Sequence, residues 1–103
     1  MCYTWLMKEI VIIDALRTPV GKYDGALSDK TAAELGVHVV KNLLERHEDI
    51  KDDVKQVIFG NVLQAGTGQN IARQISINSG LSHHVPASTI NEVCGSGMKA
   101  VIL

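Results

Sequence analysis

The run from Pro86 to Leu103 constrains this chain more than any other. Ala87 to Val93 has the length and β-branched content of a strand. Cys94-Gly-Ser-Gly97 follows at once, with the apolar stretch Met98 to Leu103 behind it as a helix. A strand, a glycine turn and a helix within so few residues force a sharp bend at positions that lack a Cβ, and the bend delivers Cys94 to its tip. A thiol on the first turn of a helix faces unpaired backbone N–H groups and the positive end of the macrodipole, which favours thiolate over thiol. The backbone N–H of Cys94 is placed to stabilise a developing oxyanion. Cys94 is therefore the candidate nucleophile, with a buried packing thiol the commoner role for a lone intracellular cysteine beside small residues, and Gly95 and Gly97 leave room for a substrate to approach.

The rest of the chain supplies a layered frame for that bend. Lys8 to Ala15 is a nearly continuous Ile/Val run with charges only at its ends, the pattern of a strand buried on both faces. Thr18-Pro19 ends it and Gly21 to Gly25 forms a loop. Thr31-Ala-Ala-Glu34 matches a capping box, so a helix begins there and runs to about Arg46. Ala32, Leu35, Val39, Val40, Leu43 and Leu44 recur at three- and four-residue spacing as its core-facing stripe. Glu48 to Lys55 is a charged, solvated connector. Val57 to Val62 is a second strand, Gly66-Thr-Gly68 a loop, and Gln69 to Ser79 a helix stopped by Gly80. With Ala87 to Val93 as the third strand, the fold class is α/β, a right-handed βαβαβ piece followed by a further helix.

Bulk properties exclude several functions. The 103 residues are 46% hydrophobic, enough for one small domain and too few for two. A net charge of -1 offers no basic face to nucleic acid or to an anionic membrane. No apolar run reaches the roughly 20 residues that a membrane helix needs. Cysteines at positions 2 and 94 alone form neither a disulfide framework nor a metal site, which suits a reducing, cytoplasmic setting. Met1 to Leu6 is too short for a signal peptide, and residues 1–7 read as a leader outside the fold, with Cys2 an incidental thiol. Val101-Ile-Leu103 stops within an apolar helix without cap or polar exit, which reads as a chain cut inside that helix.

Other motifs carry no chemistry. Gly66-Thr-Gly-Gln-Asn70 is not a dinucleotide loop, because Ile71 stands where the third glycine belongs. Ser96 is not the centre of G-x-S-x-G, since Cys94 occupies the first glycine position. His83 and His84 lack partners at ligand spacing and read as loop residues, and His38 and His47 as helix-surface residues. Glu92 has no direction that the sequence fixes, while Lys99, one turn into the helix, is placed to meet a local acid.

Asn91-Glu-Val-Cys94-Gly-Ser-Gly-Met-Lys-Ala100 resembles the nucleophile signature of the thiolases, in particular the acetyl-CoA acetyltransferase type. Val11 to Tyr23 is similar to the family's opening strand and turn. Phe59 to Asn70, followed by Ala72-Arg-Gln74, resembles its second strand, loop and helix. The likeness covers Lys8 to Leu103, read as a partial N-terminal domain, and leans towards thiolases of the mevalonate pathway. It implies a layered αβαβα fold and an acetyl group carried by Cys94 as a thioester. It also implies acetyl-CoA and acetoacetyl-CoA as substrates, no cofactor or metal, and a homodimer or tetramer with an interface near Ala87 to Val93.

The resemblance also marks what is missing. The family draws its bases and second oxyanion hole from a Gly-His-Pro histidine, a Cys-x-Gly cysteine and an Asn-Glu-Ala-Phe segment, and none of these occurs here. The 103 residues alone are therefore expected to be inactive. Two alternatives stand beside the enzyme: a non-catalytic remnant that associates with a full-length thiolase, and another cysteine-dependent condensing enzyme.

Overall fold

Thr31 does what its position in the capping box requires: its hydroxyl accepts the Glu34 N–H at 3.2 Å, and the Glu34 carboxylate accepts the Thr31 N–H at 2.7 Å. With those donors satisfied, helix α1 runs Ala32–Arg46. The computed structural model describes residues 8–103. After α1 come a 3₁₀ turn at Glu48–Asp53, strand β1 (Val57–Gly60), helix α2 (Ile71–Asn78), strand β2 (Ala87–Ile90) and helix α3 (Ser96–Ile102).

The two strands pair in parallel, Val57 opposite Ala87 and Gly60 opposite Ile90. A parallel pair needs a long crossover, and α2 provides it. Asn70 fastens that helix at its start from a left-handed conformation (φ 39°): its Oδ1 accepts the Arg73 N–H and its Nδ2 donates to the Ala87 carbonyl. Thr89 of β2 closes the joint, donating to Asn70 Oδ1 and accepting the Ala72 N–H. At the other end Gly80, at φ 87°, donates to Ile77 O while Leu81 N–H reaches Ser76 O, the pair of bonds that stops a helix on a left-handed glycine.

Val57, Ala72, Leu81 and Val85 form the core, with Leu44, Val54, Phe59 and Ala87 packed around them. Ile75 of α2, 2% exposed, lies against α1 at Gly36, where a Cβ would stand 2.9 Å from Ile75 Cγ1. The predicted stripe on α1 is half-buried at Leu35, Val39, Val40, Leu43 and Leu44, whereas Ala32 is exposed.

The class is α/β with a small parallel sheet, but the opening strand is a correction. Lys8 to Ala15 enters no ladder among the described residues, and Ile10 and Ile12 are 94% and 80% exposed. β-Branched residues favour a strand only where neighbours cover the pleated surface, and here Ile10 to Ile13 stay at least 62% exposed, with Asp14 alone tied to α1 through His47 and Arg46. The piece is therefore α1-β1-α2-β2-α3. Both observed strands are shorter than expected, ending at Gly60 and Ile90 rather than at Val62 and Val93. α3, expected to be buried, leaves Met98, Val101, Ile102 and Leu103 exposed, because no described residue packs on that side. The leader and Cys2 lie outside the described residues. Among the described residues, no helix is long and apolar enough to cross a membrane.

Candidate active site

β2 ends at Ile90 and α3 begins at Ser96, so five residues make the connection that carries Cys94. The thiol is free and exposed. It is not on the first helical turn, as expected from sequence; Gly95 is the cap and Cys94 lies one residue before it. The next two amides are already committed, Gly95 N–H to Glu92 O at 3.1 Å and Ser96 N–H to Val93 O at 3.2 Å. What defines the position of Cys94 is a tight elbow.

Val93 bends that elbow. It sits at φ 50°, a left-handed conformation that a β-branched residue rarely adopts and that costs about 1–3 kcal/mol. The surroundings hold it there. Asn91 Oδ1 accepts the Val93 N–H at 2.9 Å, and Asn91 Nδ2 donates to Val62 O at 3.3 Å. The Ser96 hydroxyl donates to Val93 O at 2.6 Å and accepts the Glu92 N–H at 2.9 Å, and Ser96 is only 3% exposed. Beneath it, Gly60 at the end of β1 lets α3 come close: a Cβ there would lie 2.6 Å from both Ser96 O and Gly97 N. Lys99 does meet an acid, Glu92, at 3.5 Å. Both side chains are well solvated, so the pair contributes little.

The remaining candidates are dispersed. His83 and His84 are exposed loop residues, and the Arg73 guanidinium donates to the carbonyls of His83 and Val85, so that loop is structural. Gly66 and Gly68 adopt positive φ in a loop that Gln74 ties down through Thr67 O and Gln69 O. His38 is exposed on α1. His47 is not a bare surface residue: its Nε2 lies 2.8 Å from Asp14 Oδ2, with Arg46 Nη1 3.5 Å from the same oxygen. The hydrogen bond from His47, then that from the Ala15 amide, then the charge of Arg46 hold Asp14 below the usual carboxylate range. Among the described residues no three His, Cys, Asp or Glu side chains gather as a metal site. An apolar cleft of about 330 Å³ runs past Ile13, Leu43, Val54, Phe59 and Leu81, and another of about 310 Å³ past Arg17, Thr18, Gly36 and Asn61. Neither includes Cys94.

Among the described residues, Cys94 is the exposed thiol and sits on a clamped strand-to-helix elbow, and its surrounding sequence has relatives. Residues 10–103 match the family described as thiolase, N-terminal domain. The chain belongs to the thiolase family. It is 54% identical over 97 residues to an acetyl-CoA acetyltransferase of Cupriavidus necator and 55% identical over 97 residues to a probable acetyl-CoA acetyltransferase of Escherichia coli. The acetyl-CoA acetyltransferase of Saccharomyces cerevisiae is 46% identical over 100 residues. In each comparison 94–95% of this chain is covered, yet it spans only 25% of the relative's length.

In this thiolase domain, sequence reasoning missed the residues that hold the elbow. From sequence, Ser96 is legible only as a residue that is not the centre of G-x-S-x-G, and Val93 as the end of a strand. Asn91, two residues before a β-branched residue and ahead of a Gly-Ser-Gly run, was the available signal, since Asn side chains commonly bond the backbone two residues on.

Proposed function

We propose that this chain is the N-terminal portion of an acetyl-CoA acetyltransferase in which Cys94 is the nucleophile. The observation that carries the reading is the exposed, disulfide-free thiol at the tip of the elbow, inside a chain about half identical to proteins named for that activity. The Cys94 thiolate attacks the carbonyl carbon of acetyl-CoA. A carbon–sulfur bond to the enzyme forms, the bond to coenzyme A breaks, and coenzyme A leaves with a proton from a general acid. A base then removes an α-proton from a second acetyl-CoA, and the carbanion takes the acetyl group and frees Cys94 as thiolate. The product is acetoacetyl-CoA, and every step is reversible.

The acid and bases come from the other three-quarters of a full-length thiolase. That remaining length packs on the exposed Ile10 to Ile13 run and on the outer face of α3, surfaces that bury favourably once covered. The free edge of β2 is the dimer contact, the setting is cytoplasmic, and the acetoacetyl-CoA feeds the mevalonate route. The reaction draws on coenzyme A thioesters and on no further cofactor.

A hybrid enzyme tests this. Residues 8–103 replace the aligned quarter of the Cupriavidus necator enzyme, and acetoacetyl-CoA thiolysis is followed. The hybrid turns over and its Cys94→Ala variant does not, while the 103 residues alone show no turnover. A hybrid whose Cys94→Ala variant keeps its activity would refute the assignment.

A further inference from the structure

The acyl-transfer reading needs Cys94 aimed in one direction, yet the residue before it is held in a conformation its own side chain resists. Val93 is exposed and β-branched, so nothing in its packing explains φ 50°. Left free, it returns to a negative φ, and the chain carrying Cys94 swings away with it.

Two side chains oppose that return. Asn91 accepts the Val93 N–H and is itself anchored by donating to Val62 O. Ser96 acts from the far side of Cys94, and its one hydroxyl spans the elbow, receiving the Glu92 N–H and donating to Val93 O. It is also the buried residue at this corner, seated where β1 ends at Gly60. Its two bonds bracket the left-handed peptide, one on each side.

We propose that Ser96 is a positioning residue for the acyl transfer suggested for Cys94: its hydroxyl locks Val93 left-handed and so sets the direction in which the thiol leaves the sheet. The inference rests on the proposed function for its consequence, and on the hydrogen bonds alone for its geometry. Ser96 is buried and acts through the elbow. Removing the hydroxyl loses two hydrogen bonds, each worth a factor of roughly five, so the equilibrium between aimed and released conformations shifts roughly ten- to thirty-fold towards release. The loss falls on kcat rather than KM, because the changed hydroxyl is buried and its bonds are to the elbow's own backbone.

The test has two arms. In the 103-residue chain, the three-bond HN–Hα coupling and Cα shift of Val93 report its φ without any reaction. Ser96→Ala moves them out of the left-handed range, while the Val57 and Asn61 amides that bond across the β1–β2 sheet keep their exchange protection. In the hybrid enzyme, Ser96→Ala lowers kcat several-fold, by up to roughly thirty-fold, with KM within about two-fold. Adding Val93→Gly to it restores most of kcat, because glycine accepts a positive φ without the clamp. A left-handed Val93 in Ser96→Ala overturns the proposal, as does unaltered kcat in that variant or a double variant no better than the single one. An inactive unsubstituted hybrid would count against the acyl-transfer reading, and the Val93 measurement would still decide the elbow.

Discussion

Gly60→Ala is the sharpest single probe of how the elbow is seated. At an ordinary strand position, glycine to alanine stabilises by about 0.5–1 kcal/mol, because the unfolded chain loses freedom it no longer has to surrender. Here the added Cβ falls 2.6 Å from Ser96 O and Gly97 N, and both are backbone atoms that no side-chain rotation can move aside. Overpacking of this kind costs about 1–3 kcal/mol, so the net effect is a loss of about 1–2 kcal/mol and α3 is pushed off β1. With a urea slope of about 1–3 kcal/mol per molar for small domains, the unfolding midpoint falls by roughly 0.5–1 M. Amide exchange assigns the damage. Lys99 N–H, which bonds Gly95 O, loses protection first, while Val57 N–H to Pro86 O and Asn61 N–H to Ile90 O change less. A midpoint that rises, or an α3 protected as before, would refute the close approach and the seating argument built on it.

Three further outcomes follow from other parts of the chain. Thr31→Ala removes the cap of α1 and lowers stability by about 1 kcal/mol, read as a shift of the urea midpoint with loss of helical circular dichroism. Ile75→Ala empties the most fully buried large side chain and costs about 2–5 kcal/mol by the same unfolding measurement. Glu34, held low by the Thr31 amide and then the Thr31 hydroxyl, and Asp14, held low by His47, both have folded pKa values below their unfolded ones. Their contribution is therefore complete above the unfolded values of about 4 and fades as the pH falls through the lowered folded values. An acid titration followed by circular dichroism shows this loss, and Glu34→Gln removes part of it.

Local chemistry made much of this fold legible. Thr31 with Glu34, Gly80, and the β-branched runs around Val57 and Ala87 each specify a helix start, a helix stop or a strand from a few neighbouring residues, and the structure has them all. Long-range cover was not legible in the same way. Lys8 to Ala15 reads as a buried strand because its composition demands cover, but composition does not say which residues supply it, and among the described residues Ile10 to Ile13 remain 62–94% exposed. The strand ends were misjudged for a related reason: Ile90 to Val93 continues the β-branched pattern, while the Asn91 and Ser96 side chains compete for its backbone and turn it out of the ladder. The same competition placed Cys94 before the cap rather than within the helix.

On the proposed function, Cys94 accepts the acetyl group. Brief exposure of the hybrid enzyme to acetyl-CoA, acid quenching and peptide mass analysis tests it most directly. One acetyl group is expected on the peptide that contains Cys94, labile to hydroxylamine as a thioester must be, and absent from Cys94→Ala. An active hybrid whose Cys94 peptide stays unmodified while the acetyl group appears on another residue would contradict it.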